Sequence, residues 1–206
     1  MKKYLAIASF TALISAAPFA MAASSTDLTV TGTITPSACT PSFPDGGIID
    51  FGKINAKDLN QTGYTELGRP RTTLSVACDG PTTFALQAID NRPNTATDRP
   101  YFGLGLTPAD EKLGHYVPWI FNVVADGLTA SAIKSSNQGN SWVAAPYLAA
   151  TQYLSISDPS APTIPLAAKD VTMDLEIRTW IGRADRLTLT DEVSIDGSAT
   201  FEMKYL

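Results

Sequence analysis

The chain has 206 residues, a net charge of −5 and 17% charged residues, with 14 glycines and 14 prolines spread along it. That length supports one domain with a sizeable core. Its acidic balance and scattered basic residues lack the footprint of a nucleic-acid binder or of a protein drawn to an anionic membrane, and a single histidine excludes a histidine-rich metal centre.

Residues 1–22 have the pattern of a secretory signal. Lys2 and Lys3 form a positive start, "YLAIASFTALISAAPF" is an apolar run, and Ala20–Met21–Ala22 offers small residues for cleavage. The run is short and ends in a small-residue motif, not a charged stop, which disfavours an uncleaved anchor. Cleavage removes two of the 15 basic residues and none of the 20 acidic ones, so a mature chain from Ala23 carries about −7.

The next stretch, "STDLTVTGTITPSACTP" (25–41), alternates: Leu28, Val30, Gly32 and Ile34 share one face, and Thr29, Thr31 and Thr33 share the other. The period is that of a β-strand, and Val, Ile and Thr suit one. Chain ends are usually frayed and polar, so an apolar strand here asks what it pairs with.

Further strands are predicted at "GGIIDFGKI" (46–54), "RTTLSVAC" (71–78, with Leu74, Val76 and Cys78 on one face) and "TTFALQAID" (82–90), the last two separated by a "DGP" turn. "YVPWIFNVVADG" (116–127) reads as a largely apolar strand, and "SWVAAPYL" and "YLSISD" as weaker ones. "KDVTMDLEIRTWIG" (169–182) turns Val171, Met173, Leu175 and Ile177 inward, and "ATFEMKYL" (199–206) closes the chain with Phe201, Met203 and Tyr205 on one face. Residues 91–116 and 125–142 read as irregular, with one helical turn possible in "TPADEKLG". About nine short strands joined by turns indicate an all-β fold, a β-sandwich, with a barrel as the structural rival.

Cys39 and Cys78 form an even pair in an exported chain, which favours one disulfide over two thiols or a metal pair. Catalytic chemistry is not legible. His115 lies between Gly114 and Tyr116, reads as a structural or surface residue, and has no G-x-S-x-G partner motif. Asp110–Glu111 and Asp191–Glu192 are neighbours that point apart on an extended chain, so neither is a carboxylate dyad. Asp45, Asp50 and Asp196 lie near glycines and read as turn formers. Of Trp119, Trp142 and Trp180, at least two are expected in the core, although such residues can also line a sugar-binding face. No catalytic residue, metal or cofactor is assigned.

The order of these elements resembles the pilin subunits of the chaperone–usher pathway. The apolar-x-apolar-x-Gly-x-apolar stretch ahead of Cys39 resembles the pilin N-terminal extension, with Gly32 matching its glycine seven residues before the cysteine. "IIDFGKINAKDL" resembles the first pilin strand and "LSVACDG" the second. The alternating C-terminus with penultimate Tyr205 resembles the last strand. "FGLGLTPADEKLGHY" is similar to a fimbrial-like family of unknown function. The chain exceeds a typical pilin in 91–142, and Gly197 does not sit where many pilins place a glycine near their last strand.

The resemblance implies an immunoglobulin-like sandwich of pilin type that lacks its final strand. It implies three parts: the signal at 1–22, a donor-strand extension at 23–36 and the sandwich at 37–206. Leu28, Val30, Gly32 and Ile34 would be the inserted face of the donor strand, and a Cys39–Cys78 disulfide would join the first two strands. Phe201, Met203 and Tyr205, with the Leu206 carboxylate, would edge the groove and meet a periplasmic chaperone. The partners implied are neighbouring pilin subunits, that chaperone and an outer-membrane usher; a surface receptor is left open. The route is through the periplasm to a surface fimbrium used in cell adhesion. The alternative is a self-contained periplasmic or secreted binding module whose first strand pairs in its own chain.

Overall fold

A computed structural model describes residues 28–31 and 38–206. The chain divides into one unit ending at Ile34 and another from Thr35 to Leu206. In the first, the described residues Leu28–Thr31 form no strand, and Leu28 and Val30 are exposed. Residues 1–22, read above as a signal, and Gly32 and Ile34 of the expected donor strand lie outside the described residues.

The second unit is all-β, with twelve strands and no α-helix among the described residues. The strands are β1 (Cys39–Ser42), β2 (Thr65–Glu66), β3 (Arg71–Thr82), β4 (Phe84–Asp90), β5 (Phe102–Gly103) and β6 (Gly114–Ala125). They continue as β7 (Leu128–Thr129), β8 (Ser131–Ser135), β9 (Val143–Ala144), β10 (Tyr153–Ser157), β11 (Ala168–Ile181) and β12 (Ala199–Tyr205). One sheet runs β1-β3-β11-β6-β5, with β2 on β11 and β7 on β6; the other runs β12-β4-β10-β8-β9. Every pairing of named strands is antiparallel. No described helix is long and apolar enough to cross a membrane.

The two sheets face each other as a β-sandwich. Leu74, Val76, Val171, Met173 and Leu175 from the first sheet pack into one buried cluster with Leu86, Ala88, Leu154 and Ile156 from the second. Each buried aliphatic side chain contributes roughly 1.5–3 kcal/mol. The inward faces expected for 71–78 and 169–182 are those observed, except that Ile177 is only half-buried.

Several expected elements differ. The "DGP" stretch is not a turn: β3 runs straight through Asp79–Pro81, and the chain crosses to the second sheet at Thr83. A proline is tolerated there because β1 ends its pairing at Cys39↔Cys78, so no ladder partner needs its missing N–H. Residues 46–54 are not a strand; Pro44–Gly47 forms a 3-10 turn with Asp45, Gly46 and Gly47 at φ 51°, 68° and 73°, a left-handed run that peels the chain off β3. The "TPADEKLG" stretch holds a turn with Asp110 at φ 61°, not a helix. Residues 125–142 include β7 and β8, and 91–116 is pinned to the body by the bonds from Arg92 to Asp196 and from the Gly182 N–H to the Leu113 carbonyl, with Lys112 Nζ bonded to the Ala96 carbonyl within it.

Cys39 and Cys78 are disulfide-bonded, joining β1 to β3 across a separation of 39 residues. In the chain-entropy account such a crosslink stabilises by about 4 kcal/mol. Oxidised protein should therefore show no free thiol by mass spectrometry, and a Cys39→Ser/Cys78→Ser variant should lose about that amount in urea unfolding. A loss under about 1 kcal/mol would show that the bridge does not constrain the unfolded chain.

Candidate functional site

A groove opens where the edges of the two sheets fail to meet. Its closed end is formed by β1 and β12. The Cys39 N–H donates to the Tyr205 hydroxyl oxygen at 3.0 Å, and the rings of Phe43 and Phe201 meet edge to face at 5.5 Å. Beyond Phe43 the lips part. One lip is 48–55, which leaves the sheet at the left-handed turn. The other is 189–198, which leads into β12. Both lips are without strand assignment. Among the described residues, no backbone hydrogen bond joins 48–54 or 189–195 to a neighbouring strand.

Two adjoining cavities fill the gap. The first, about 310 Å³, has Phe43, Ile49 and Phe51 on one wall and Ile195, Gly197 and Phe201 on the other. Its floor is the inner face of the larger sheet, including Tyr116, Pro118, Leu175 and Ile177. Burial raises the Tyr116 phenol above its ordinary pKa, with Asp90 adding to the effect, so it stays neutral. The second cavity, about 560 Å³, lies between 49–56 and 189–195 over Leu59, Leu113 and Ile181. Its wall also carries Asp50, Lys53, Asp191 and Glu192, all exposed.

Polar clamps hold the second lip. Arg92 grips Asp196 through two bonds of 2.7 and 2.8 Å, which lowers the Asp196 pKa. Glu111 accepts from the Thr188 N–H at 2.6 Å and from the hydroxyls of Thr188 and Thr107, and the Thr188 N–H most of all lowers its pKa. Gly197 lets this lip pass close to the sheet: a Cβ there would stand 3.0 Å from both Leu104 and Tyr116.

Of the residues expected at a groove, Phe201 and Met203 lie on β12 and pack against the core. Tyr205 is half-exposed at the closed end, and Leu206 is exposed with its N–H bonded to the Thr83 carbonyl. β12 pairs with β4 from Ala199↔Asp90 to Tyr205↔Phe84 and is the outer strand of its sheet. Cys39 and Tyr205 are brought together. The lip residues Ile49, Phe51, Val193 and Ile195 were not read as site residues. "IIDF" alternates and could have suggested two of them; the interrupted alternation of "LTLTDEVSID" (187–196) could have suggested the others.

The outer face of the larger sheet carries a second constellation. His115 is buried, stacked on Trp180 at 5.2 Å and Tyr101 at 5.6 Å, with the Tyr64 ring edge-on at 5.4 Å and Nδ1 in hydrogen-bond contact with the Thr97 hydroxyl. Arg178 lies over the Trp119 ring at 3.9 Å, and Glu176 accepts from both Arg71 and Arg178. Hydrogen bonding from Arg71, then from Arg178, lowers the Glu176 pKa. Only Trp142 of the three tryptophans is buried; Trp119 and Trp180 are half-buried in this layer, because their partners there are a guanidinium and an imidazole. Asp50 accepts from the Gly52 N–H, as a turn former does, whereas Asp196 is an ion-pair partner. No group of three His, Cys, Asp or Glu side chains arranged for a metal occurs among the described residues.

Fold and groove together define a class: a disulfide-linked β-sandwich with an open edge lined by apolar side chains. The family described as a protein of unknown function, DUF1120, matches residues 28–101. Protein GltF of Escherichia coli K12 is 39% identical over 140 residues, an overlap covering 55% of each chain. The match thus spans about half the length of GltF. The uncharacterized protein YhcF of the same organism is 22% identical over 227 residues, covering 91% of this chain and 94% of YhcF.

Burial depresses the His115 pKa, opposed by Asp98, so the folded protein binds that proton less readily than the unfolded chain. The stability it contributes is complete above about pH 6.5 and is lost as the pH falls below that value. Carboxylates with lowered pKa, such as Glu176, stay ionised down to about pH 5, so the decline above that pH belongs to His115. The thermal midpoint should drop between pH 7.5 and 5.5, and His115→Gln should flatten that drop. An unchanged drop in the variant would assign the effect elsewhere.

Proposed function

We propose that the protein is a non-catalytic structural subunit of pilin type, polymerised head to tail when the N-terminal strand of one subunit enters the groove of the next. One observation carries this reading: two extended segments, 48–54 and 189–195, face each other over a bare sheet with Ile49, Phe51, Val193 and Ile195 along the gap, and neither makes a backbone hydrogen bond to a neighbouring strand among the described residues. Strand addition to such an edge makes main-chain hydrogen bonds and seats alternate side chains in the pockets below. It also removes the aggregation hazard of an open edge.

The occupant is Thr26–Thr35 of a neighbouring subunit. Leu28, Val30 and Ile34 enter the groove, and Gly32 sits where the floor is shallow. Burying three aliphatic side chains contributes roughly 5–8 kcal/mol gross. A contact between two different surfaces that does not close on itself builds a filament. The secretory signal supports export. On this reading a periplasmic chaperone holds β12 until an usher delivers the subunit to a surface fimbrium.

Replacing Gly32 by Leu tests this. Co-expressed with its chaperone, Gly32→Leu should give normal yields of bound monomer and at least tenfold fewer SDS-stable multimers. Loss of the monomer, with multimers unchanged among the survivors, would mean that Gly32 packs inside its own subunit, where overpacking destabilises.

A further inference from the structure

The groove is longer than the alternating part of the strand proposed to fill it, Leu28–Ile34. β12 has seven residues, and the alternating stretch Leu28–Ile34 has the same number, so each spans about 23 Å when extended. A strand laid in register along β12 is used up beside it. The second cavity lies past the start of β12, between 49–56 and 189–195. Its floor is not part of the main core: Leu59, Leu113 and Ile181 form their own buried cluster, with Leu189 and Val193 packed on it. An occupant of the first cavity therefore sends one of its flanks into the second.

Charge selects the flank. The rim carries Asp50, Asp191 and Glu192 against Lys53. One flank of the alternating stretch begins with Asp27, whereas the other, Thr35–Pro36–Ser37, is uncharged. A carboxylate brought among three others is repelled. Pro36 adds an apolar ring suited to the floor, and it lacks an N–H, so the ladder can end there without an unpaired donor.

Resting on the head-to-tail reading above, we infer that the second cavity is a subsite for Thr35–Pro36–Ser37 of a neighbouring copy, and that it selects the length and charge of the incoming strand. Only Ala38 then separates the filled subsite from Cys39 of the donating subunit, so the two bodies abut.

The full-length protein is refolded with an excess of one of three peptides: residues 28–34, residues 28–37, or residues 28–37 with Pro36→Asp. Amide exchange is then followed by mass spectrometry. Both native peptides should protect β12. Only the longer should protect 49–56 and 189–195, and it should dissociate at least tenfold more slowly. The Pro36→Asp peptide should lose that gain, and an Asp191→Asn/Glu192→Gln protein should restore it. Equal dissociation of the two native peptides, with the second cavity unprotected by either, would overturn the subsite while leaving the groove reading intact. Absence of β12 protection by both would overturn the groove reading and the subsite with it.

Discussion

Peptide groups need partners, and that need organises this molecule. Along β3, β11 and β6 every strand has neighbours on both sides, and the ladder is continuous over most of the 14 residues of β11. At the opposite edge the supply runs out. The left-handed turn at Asp45–Gly47 lifts the chain away from β3, and 189–198 approaches without reaching it. Between them Ile177 and Tyr116 are left half-buried. Closing the lips directly would bury peptide groups without partners, at about 1–3 kcal/mol each. Leaving them open exposes core side chains to water. An added strand resolves both at once, because it supplies backbone partners on two sides and apolar side chains toward the floor.

An open slot keeps its shape only if its walls are held from elsewhere. At the closed end the disulfide fixes β1 to β3, and the contacts of Tyr205 with Cys39 and of Phe201 with Phe43 tie β12 across. At the far end Glu111 and Arg92 reach from the 91–116 region to seize Thr188 and Asp196. The exposed Arg92–Asp196 pair is screened by solvent and contributes little to stability; its effect is positional. Behind the floor, the outer layer of Glu176, Arg178, Trp119, His115 and Trp180 stiffens β6 and β11 by stacking across the strand pair. The groove is thus set on the most continuous part of the sheet.

Period-two alternation made the inward faces of β3, β11 and β12 legible in the sequence, since a strand buried on one face must write that burial into every second residue. The cysteine pair was legible on a different ground, an even count in a chain with the pattern of an exported protein. What failed was non-local. "DGP" has the composition of a turn, yet its residues stay extended because the chain is changing sheets there, and only the partner strands reveal that. "GGIIDFGKI" has the alternation of a strand, yet it is a lip with no ladder, because whether a segment pairs depends on what lies beside it. Val193 and Ile195 continue an alternation begun by Leu187 and Leu189 that Asp191 interrupts, and they matter because Arg92, far away in sequence, brings their segment to the groove. The tryptophans were weighed for the core by size alone; the guanidinium and imidazole that hold two of them on the outer face are set by strand register, Trp119↔Glu176 and Trp180↔His115.

For the assembly proposed above, electrostatics favours the open edge over the other surfaces. A chain with net charge −5 repels its copies over most approaches. The stretch from Leu28 to Ala38 contains no charged residue, and the first cavity is lined mainly by apolar side chains with Thr72, Thr179 and Ser198 and no charged group. Strand and groove therefore meet without desolvating an ion, whereas contacts through the paired Arg71, Glu176 and Arg178 would have to strip water from ions already satisfied within their own sheet. On the head-to-tail reading proposed above, repulsion between bodies and attraction along one uncharged strand would act together, and because the strand and the groove are different surfaces of the same chain, such a contact would propagate in one direction.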